Sequence, residues 1–583
     1  MKAVERLSFP LAIATGGLLG ILILSGHPQV FVYVSYTLGL YSLFCMAEQF
    51  RKNGFNVSLL RLATVSTVVI ITGVCLAAVN LLPLFDLINH TLRPNVTYEI
   101  ATSYALHPQE LITLLMPDFY GRAEPSNWDY WGPGWSEYGH FWETNSYFGI
   151  LPLVFVCVSF TLKRTRLTFF MGILAILTCL LSLGDATPIF RVAYETIPGF
   201  DRFRSPGRLN ILSGFAVAIL SGISIDALCR LTYAKRLHLM RIVKVACGLF
   251  VFAVIIYIAA EEPITVWLSG GTAFQDRAKE AMATQAGPFT LLLLLSIVFL
   301  FACTYHKIHH SVLVIAAAVL IFFDLYAAGH EFNASPHGPA YYYPRSSIIK
   351  FLEKQQAEQA GRARTRDGAQ FLMRRNAGML YRVFTLEGYV SPLRLANTTP
   401  PVYSDELMNV KYRIKVDQDS QNIGLAANPN TMPQAYIVRN YVVAADREAV
   451  AKAMADSTFD YRTTVTLDMA PSLKIAPESF PAMEQPSVVH YEPNNMRIIV
   501  DMKEAGLLIV GEVFYPDWQA YVDGRSERIY RANDTMRAIP LSGGTHTVEL
   551  RYESGSFRIG VMISCVMLVV VLFNLGMLLR RRK

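Results

Sequence analysis

Charge is scarce in this chain. Asp, Glu, Lys and Arg together make up 17% of its 583 residues, against 52% apolar residues. Soluble domains carry about 25% charged residues, so the deficit excludes a soluble globular protein of ordinary composition. Cysteine is not arranged as a framework. The eight cysteines (Cys45, Cys75, Cys157, Cys179, Cys229, Cys247, Cys303 and Cys565) fall in or at the ends of apolar runs, and the stretch 329–557 has none. That pattern excludes a disulfide scaffold and a CxxC metal motif. The formal charge of +7 is not gathered into a patch; much of the excess lies in short loops between apolar runs, and no nucleic-acid partner follows from it.

What the sequence has in abundance is long apolar runs. They recur at 8–25, 30–47, 62–82, 147–162, 167–183, 209–228, 242–260, 289–305, 311–327 and 559–579. At about 1.5 Å rise per residue, each is near the length needed to cross a hydrocarbon core of about 30 Å. Lys and Arg in short loops stay on the cytoplasmic side. With the N-terminus inside, the cytoplasmic segments hold 18 basic residues and the opposite short loops 8. Ten crossings with both termini cytoplasmic therefore place 329–557 outside, in a multi-pass membrane protein. The first run lacks a small-residue cleavage signature and leads into a second after Ser25-Gly26-His27-Pro28, so it reads as a membrane helix rather than a signal peptide.

The expected fold is a polytopic α-helical membrane protein of about ten transmembrane helices, with an extracytoplasmic α+β/β-sandwich domain before the last helix. Its parts are transmembrane helices over 1–83, an extracytoplasmic aromatic and acidic loop over 84–146, a helical bundle over 147–328, the extracytoplasmic domain over 329–557, and a last helix with a basic tail over 558–583. Alternation in 496–502, 506–515, 519–522 and 545–552, with turn signals at Asp523-Gly524 and Gly543-Gly544, predicts the antiparallel sandwich.

Two clusters carry candidate chemistry. The 83–146 segment holds Asp86, Glu99, Glu110, Asp118, Glu124, Asp129, Glu137 and Glu143, with Trp128, Trp131, Trp135 and Trp142. Carboxylates beside aromatic rings suit carbohydrate: the acids bond hydroxyls, and an indole packs on a C–H face. The plainer alternative is an interfacial aromatic belt with solvating acids. The second cluster is Asp201-Arg202-Phe203-Arg204-Ser205-Pro206-Gly207-Arg208, three arginines on the side the positive-inside bias disfavours. Guanidinium groups clasp phosphate oxygens, which points to a lipid phosphate; salt bridges to the acidic loop or contact with membrane lipid would also hold them. His27, His107 and His140 lack metal-ligand spacing. Asp226 and Asp324, near helix ends, read as snorkelling side chains or local caps rather than a proton relay, and Trp518 and Tyr521 as packing residues or sugar contacts.

At these residues the chain resembles the YfhO family of bacterial membrane proteins. The likeness runs through Gly26-His27-Pro28-Gln29, Leu115-Met116-Pro117-Asp118-Phe119-Tyr120-Gly121, Tyr130-Trp131-Gly132, Tyr147-Phe148-Gly149 and Phe203-Arg204-Ser205-Pro206-Gly207-Arg208. It continues in Glu387-Gly388-Tyr389, Leu407-Met408-Asn409-Val410-Lys411-Tyr412 and Tyr515-Pro516-Asp517-Trp518-Gln519-Ala520-Tyr521-Val522-Asp523-Gly524.

The resemblance implies a GT-C class glycosyltransferase-like protein. It would transfer a sugar from a polyprenyl-phosphate carrier to an envelope glycan acceptor on the outer face of the membrane. Trp131, Glu137, Glu143, Tyr147, Arg202, Arg204 and Arg208 are then the expected substrate-binding residues, and the carboxylates leave room for a divalent ion, Mg or Mn. The resemblance also implies N-terminal helices and an acidic catalytic residue that would precede Met1, so no residue here inherits the role of base. A separate polypeptide supplying that part, a misassigned start or a non-catalytic form each accounts for this. A partner-dependent subunit and a lipid-linked-sugar transporter or flippase remain the alternative functions.

Overall fold

The computed structural model describes residues 7–91, 96–122, 129–134, 140–304, 308–330, 338–358, 364–367, 372–373, 376–388, 398–416, 423–476, 484 and 486–580. The chain divides into two compact units. One comprises Met1–Ala77, Pro94–Pro336 and Cys565–Lys583; the other comprises Ala78–Arg93 and His337–Ser564.

The first unit is helical. Across the described chain, seven helices are long and apolar enough to cross a membrane: Pro28–Asn53, Val57–Leu76, Pro206–Cys229, Tyr233–Ala259, Gln275–Ala302, His310–Gly329 and Gly555–Arg580. Three of the ten expected runs form shorter apolar helices instead, Phe9–Leu24, Ile150–Leu162 and Arg166–Ser182. The Phe9–Leu24 helix meets Val57–Leu76 through small residues. A Cβ on Gly16 would lie 2.5 Å from Thr72, and one on Gly73 would lie 2.9 Å from Leu19. Such close backbone approach is how helices gain dispersion contact where lipid removes the hydrophobic incentive to associate. The other faces carry bare apolar side chains, with Leu18, Ile173 and Phe322 all at least 60% exposed.

The 62–82 run does not make one continuous helix. It breaks at Ala77, and Ala78–Ile88 begins a separate helix assigned to the second unit. The Val79 N–H at that start donates to Ser564 Oγ at 3.0 Å. Gly560 allows the approach, since a Cβ there would stand 2.6 Å from the Ala78 carbonyl oxygen.

The second unit is rich in β-structure. A five-stranded antiparallel sheet has the order Arg525–Glu527, Trp518–Val522, Gly544–Tyr552, Asn495–Met502, Ser487–Glu492. A six-stranded sheet has the order Ala435–Val438, Gly506–Val510, Met536–Leu541, Tyr530–Ala532, Thr464–Leu467, Asn440–Val443, and only its last pair is parallel. Met496, Ile498, Val500, Val548 and Leu550 of the first sheet pack on Ile437, Leu508, Val510 and Ile539 of the second. The opposite face of the six-stranded sheet is covered by Val450 and Met454 of the helix Arg447–Ala455, with Leu407, Met408 and Met432. A third, three-stranded sheet joins Arg364–Arg366, Val410–Val416 and Ile423–Ala427.

This layering explains where the alternation rule held and where it did not. Asn495–Met502 alternates buried and open positions, because only one face meets the core. Gly506–Val510 is buried at every position and ends there, short of the expected 515, because both its faces are covered. The Asp523-Gly524 turn joins Val522 to Arg525 with both central residues at positive φ (51° and 80°), the geometry that Asp-Gly favours in a two-residue hairpin. All eight cysteines are free.

Candidate functional site

The site in the helical unit is built around the turn before helix Asn210–Cys229. Pro206 opens this turn at a position where a missing N–H costs little. Ser205 holds a left-handed φ of 64°, and its N–H donates to the Ser103 carbonyl at 3.0 Å. Gly207 is required by proximity: a Cβ would lie 2.8 Å from the Glu143 carbonyl oxygen and 3.0 Å from that of Tyr104.

Arg208 follows. Its Nε and Nη2 both donate to the Glu143 carboxylate, a two-pronged pair. Its Nη1 donates to Gln29 Oε1 at 2.7 Å and lies 3.4 Å from His27 Nε2. Gln29 is buried, and its Nε2 donates to Tyr33 Oη at 2.8 Å and to the Arg204 carbonyl at 2.7 Å. One amide thus ties helix Pro28–Asn53 to the arginine turn. Burial, and then the positive charge of Arg208, hold the His27 imidazole below its usual value, with Glu143 opposing.

Two further groups complete the surroundings. Tyr147 donates to Asp324 Oδ1 at 2.6 Å, and the Ile150 N–H donates to Asp324 Oδ2 at 2.9 Å. Asp324 therefore caps the helix Ile150–Leu162. The Tyr147 hydroxyl proton is committed to Asp324, which leaves its oxygen lone pairs to accept from a ligand. Asn210 is buried, and its Nδ2 has no hydrogen-bond partner among the described residues. These groups share a cavity of about 630 Å³ lined by His27, Trp142, Glu143, Tyr147, Arg208 and Asn210. Asn145 and Ser146 add further polar groups, and Val30, Phe148, Ile211 and Leu325 supply an apolar part of its wall. The arrangement offers cationic and neutral donors beside an apolar surface, a combination suited to a polar head joined to a hydrocarbon chain.

Of the expected site residues, Glu143, Tyr147 and Arg208 come together here. Arg202 pairs with its neighbour Asp201 at 3.4 Å, and the Arg204 guanidinium stands 5.5 Å over the Tyr104 ring. Trp131, 8% exposed, sits in an aromatic cluster with Phe119, Tyr120 and Phe274 rather than on the cavity wall. Glu137 lies outside the described residues, as do Glu124, Trp128 and Trp135.

Sequence reasoning passed over Gln29, Asn210 and the role of Glu110. Gln29 had a signal, because it closes the Gly26-His27-Pro28-Gln29 motif; a lone Asn at a helix start had none. Glu110 is only 3% exposed. It accepts from the His107 N–H (2.8 Å), Tyr130 Oη (2.7 Å) and Thr144 Oγ1 (3.2 Å), and both its oxygens lie 3.1 Å from His140 Nε2. It fastens the loop whose last turn, His140–Thr144, presents Glu143 to Arg208. Among the described residues no group of three His, Cys, Asp or Glu side chains is placed to hold a metal ion, so no step is assigned to one.

Several apolar helices of spanning length, joined to a separate β-rich unit, define a membrane protein carrying an additional domain. Residues 481–564 match the family described as "Bacterial membrane protein YfhO". That segment comprises the five-stranded sheet, its neighbours in the six-stranded sheet and the start of the last helix, and the resemblance drawn from the sequence motifs is borne out there. No curated protein and no solved structure matches the chain.

Proposed function

We propose that this chain is a glycosyltransferase-like protein of the bacterial inner membrane, acting on a polyprenyl-phosphate-linked sugar at the outer face. In this reading the chain crosses the membrane ten times with both termini in the cytoplasm. The supporting observation is the cavity in which Arg208, His27 and Asn210 stand beside an apolar wall. Arg208 would hold the carrier phosphate by charge-assisted hydrogen bonds. Glu143 would orient that guanidinium through its two-pronged pair, and would instead receive an acceptor hydroxyl when the phosphate draws Arg208 away. The Tyr147 hydroxyl oxygen would accept from the sugar, and Val30, Phe148 and Ile211 would face the prenyl chain.

One observation favours a partner-dependent subunit as the second reading. Both oxygens of Glu143 are engaged by Arg208, which among the described residues leaves no carboxylate on this cavity wall with the position of a base. The deciding experiment reconstitutes the purified chain in lipid nanodiscs with polyprenyl phosphate. Arg208→Ala should weaken binding by about tenfold or more, the loss expected for a charged hydrogen bond. If the substitution has no effect, and if deleting the gene with its upstream neighbour leaves every envelope glycan and polyprenyl-linked sugar pool unchanged, the proposal falls.

A further inference from the structure

The β-rich unit has a second cavity of about 430 Å³, lined by residues of both large sheets and of the helix Ala78–Ile88. Its size falls within the range of about 300–1,000 Å³ common to small-molecule sites. What distinguishes it from packing imperfections is the chemistry of its wall. Arg537, 4% exposed, lies with its guanidinium 3.9 Å from the Trp518 ring centroid. Its Nε and Nη2 donate to the Val513 carbonyl at 3.0 and 2.8 Å. Burial pushes the Arg537 pKa down to about 10, with Glu512 opposing, so the group is still charged at neutral pH.

Glu512 is equally well held. Its Oε1 accepts from Arg364 Nη2 (2.8 Å), Gln434 Nε2 (3.1 Å) and Tyr491 Oη (3.1 Å). On the helix side, Tyr515 donates to Asp86 Oδ2 at 3.0 Å. The rings of Trp518 and Tyr552 stand edge to face at 5.7 Å. Fixed carboxylates, one fixed guanidinium and aromatic rings thus surround a space that nothing in the proposed reaction uses.

The balance of these groups selects among ligands. Asp86, Glu492 and Glu512 on the wall oppose a phosphate or other anion, since like charges at such distances repel strongly away from bulk water. Arg537 opposes an ammonium group for the same reason. A neutral polyol meets neither penalty: its hydroxyls donate to carboxylates and accept from the guanidinium, while its C–H face packs on aromatic rings.

We infer that this cavity binds one neutral sugar residue, its hydroxyls bonded by Asp86, Glu512 and Arg537 and its C–H face set against Tyr515, Trp518 and Tyr552. The site would give the sandwich a hold on a glycan. It rests on this cavity alone and needs no polyprenyl carrier.

The test is ligand-observed NMR on the full-length chain in detergent, with glucose, galactose, N-acetylglucosamine, choline and inorganic phosphate as separate probes. At least one neutral sugar should bind in the millimolar range. Asp86→Asn, which weakens one hydrogen-bond acceptor, and Tyr552→Leu, which removes one ring from the C–H face, should each weaken it by about fivefold. Should Asp86→Asn fail to fold, Tyr552→Leu, which takes the ring off the cavity wall, decides alone. Binding of choline or phosphate only, binding of no sugar, or sugar binding indifferent to the substitutions that fold overturns the inference.

Discussion

The helical unit and the β-rich unit solve the burial problem in opposite ways. In the helices, large apolar side chains such as Leu18 and Phe322 are left bare, and the well-satisfied interior groups are polar ones, Glu110, Gln29 and Asp324. In the sandwich, Ile498, Leu508 and Ile539 are wholly buried, while the outward positions of the strand that holds Ile498 carry Arg497 and Asp501. The difference follows from the surroundings each unit is built for. Lipid accepts an exposed leucine without cost and makes an unpaired polar group expensive; water charges for the leucine instead. Order in the first unit therefore comes largely from polar fastenings and close helix contacts, and in the second from apolar area removed from water.

The largest effect that would sharpen this contrast comes from the helical unit. Glu110→Ala strips the shared acceptor from His107, Tyr130, His140 and Thr144, and should destabilise the fold by about 3–5 kcal/mol, as breaking a buried charged network does. Thermal unfolding in detergent measures it, and a change under about 0.5 kcal/mol, typical of plain surface sites, would dissolve the distinction. Next comes a matched pair of leucines. Leu508→Ala, between the two sheets, should cost about 2–5 kcal/mol, whereas Leu18→Ala should stay within about 0.5 kcal/mol. Equal losses at the two positions would break the comparison outright.

Smaller than these is Gly207→Ala. The added methyl must push against the backbone oxygens of Glu143 and Tyr104, which should cost about 1–3 kcal/mol and loosen the grip of Arg208 on Glu143. Thermal unfolding together with polyprenyl-phosphate binding reads both consequences. The smallest effect is a pH dependence at the Asp523-Gly524 turn. The Thr547 N–H and then His546 hold the Asp523 carboxyl below its ordinary value. A lowered folded-state pKa means that its contribution is complete above the unfolded value, about 3.9, and fades as pH falls through the folded one. The stability gap between the parent and Asp523→Asn should therefore be present at pH 6 and shrink on acidification below about pH 4. A gap that widens in acid would contradict the assigned hydrogen bonds.

Parts of this architecture were legible in the sequence because they depend on neighbours. The Asp523-Gly524 turn is one, since the left-handed backbone it needs is a property of those two residues. The alternation of 495–502 is another, because a strand covered on one face repeats every second residue. Gly506–Val510 departs from that pattern only because a second layer covers its other face, and its own residues cannot announce that layer. At the site, the arginine turn and the acidic loop were both visible as clusters. Their meeting was not: a salt bridge to the acidic loop is one of several ways to hold the arginines and names no partner for Arg208, and Trp131 serves the aromatic interior of the loop.

The sequence by itself determined that the chain needs lipid, that it carries a β-rich domain before its last helix, and which short turns connect the strands. These follow from composition and from periodicity over a few residues, which local backbone geometry imposes directly. Only the tertiary structure decided that Arg208 reaches Glu143 across 65 positions, that Asp324 caps a helix 174 positions earlier, and that Tyr515 finds Asp86 across 429. A buried polar group must find a partner, but the energy that enforces the pairing depends on distance in space and is blind to distance along the chain.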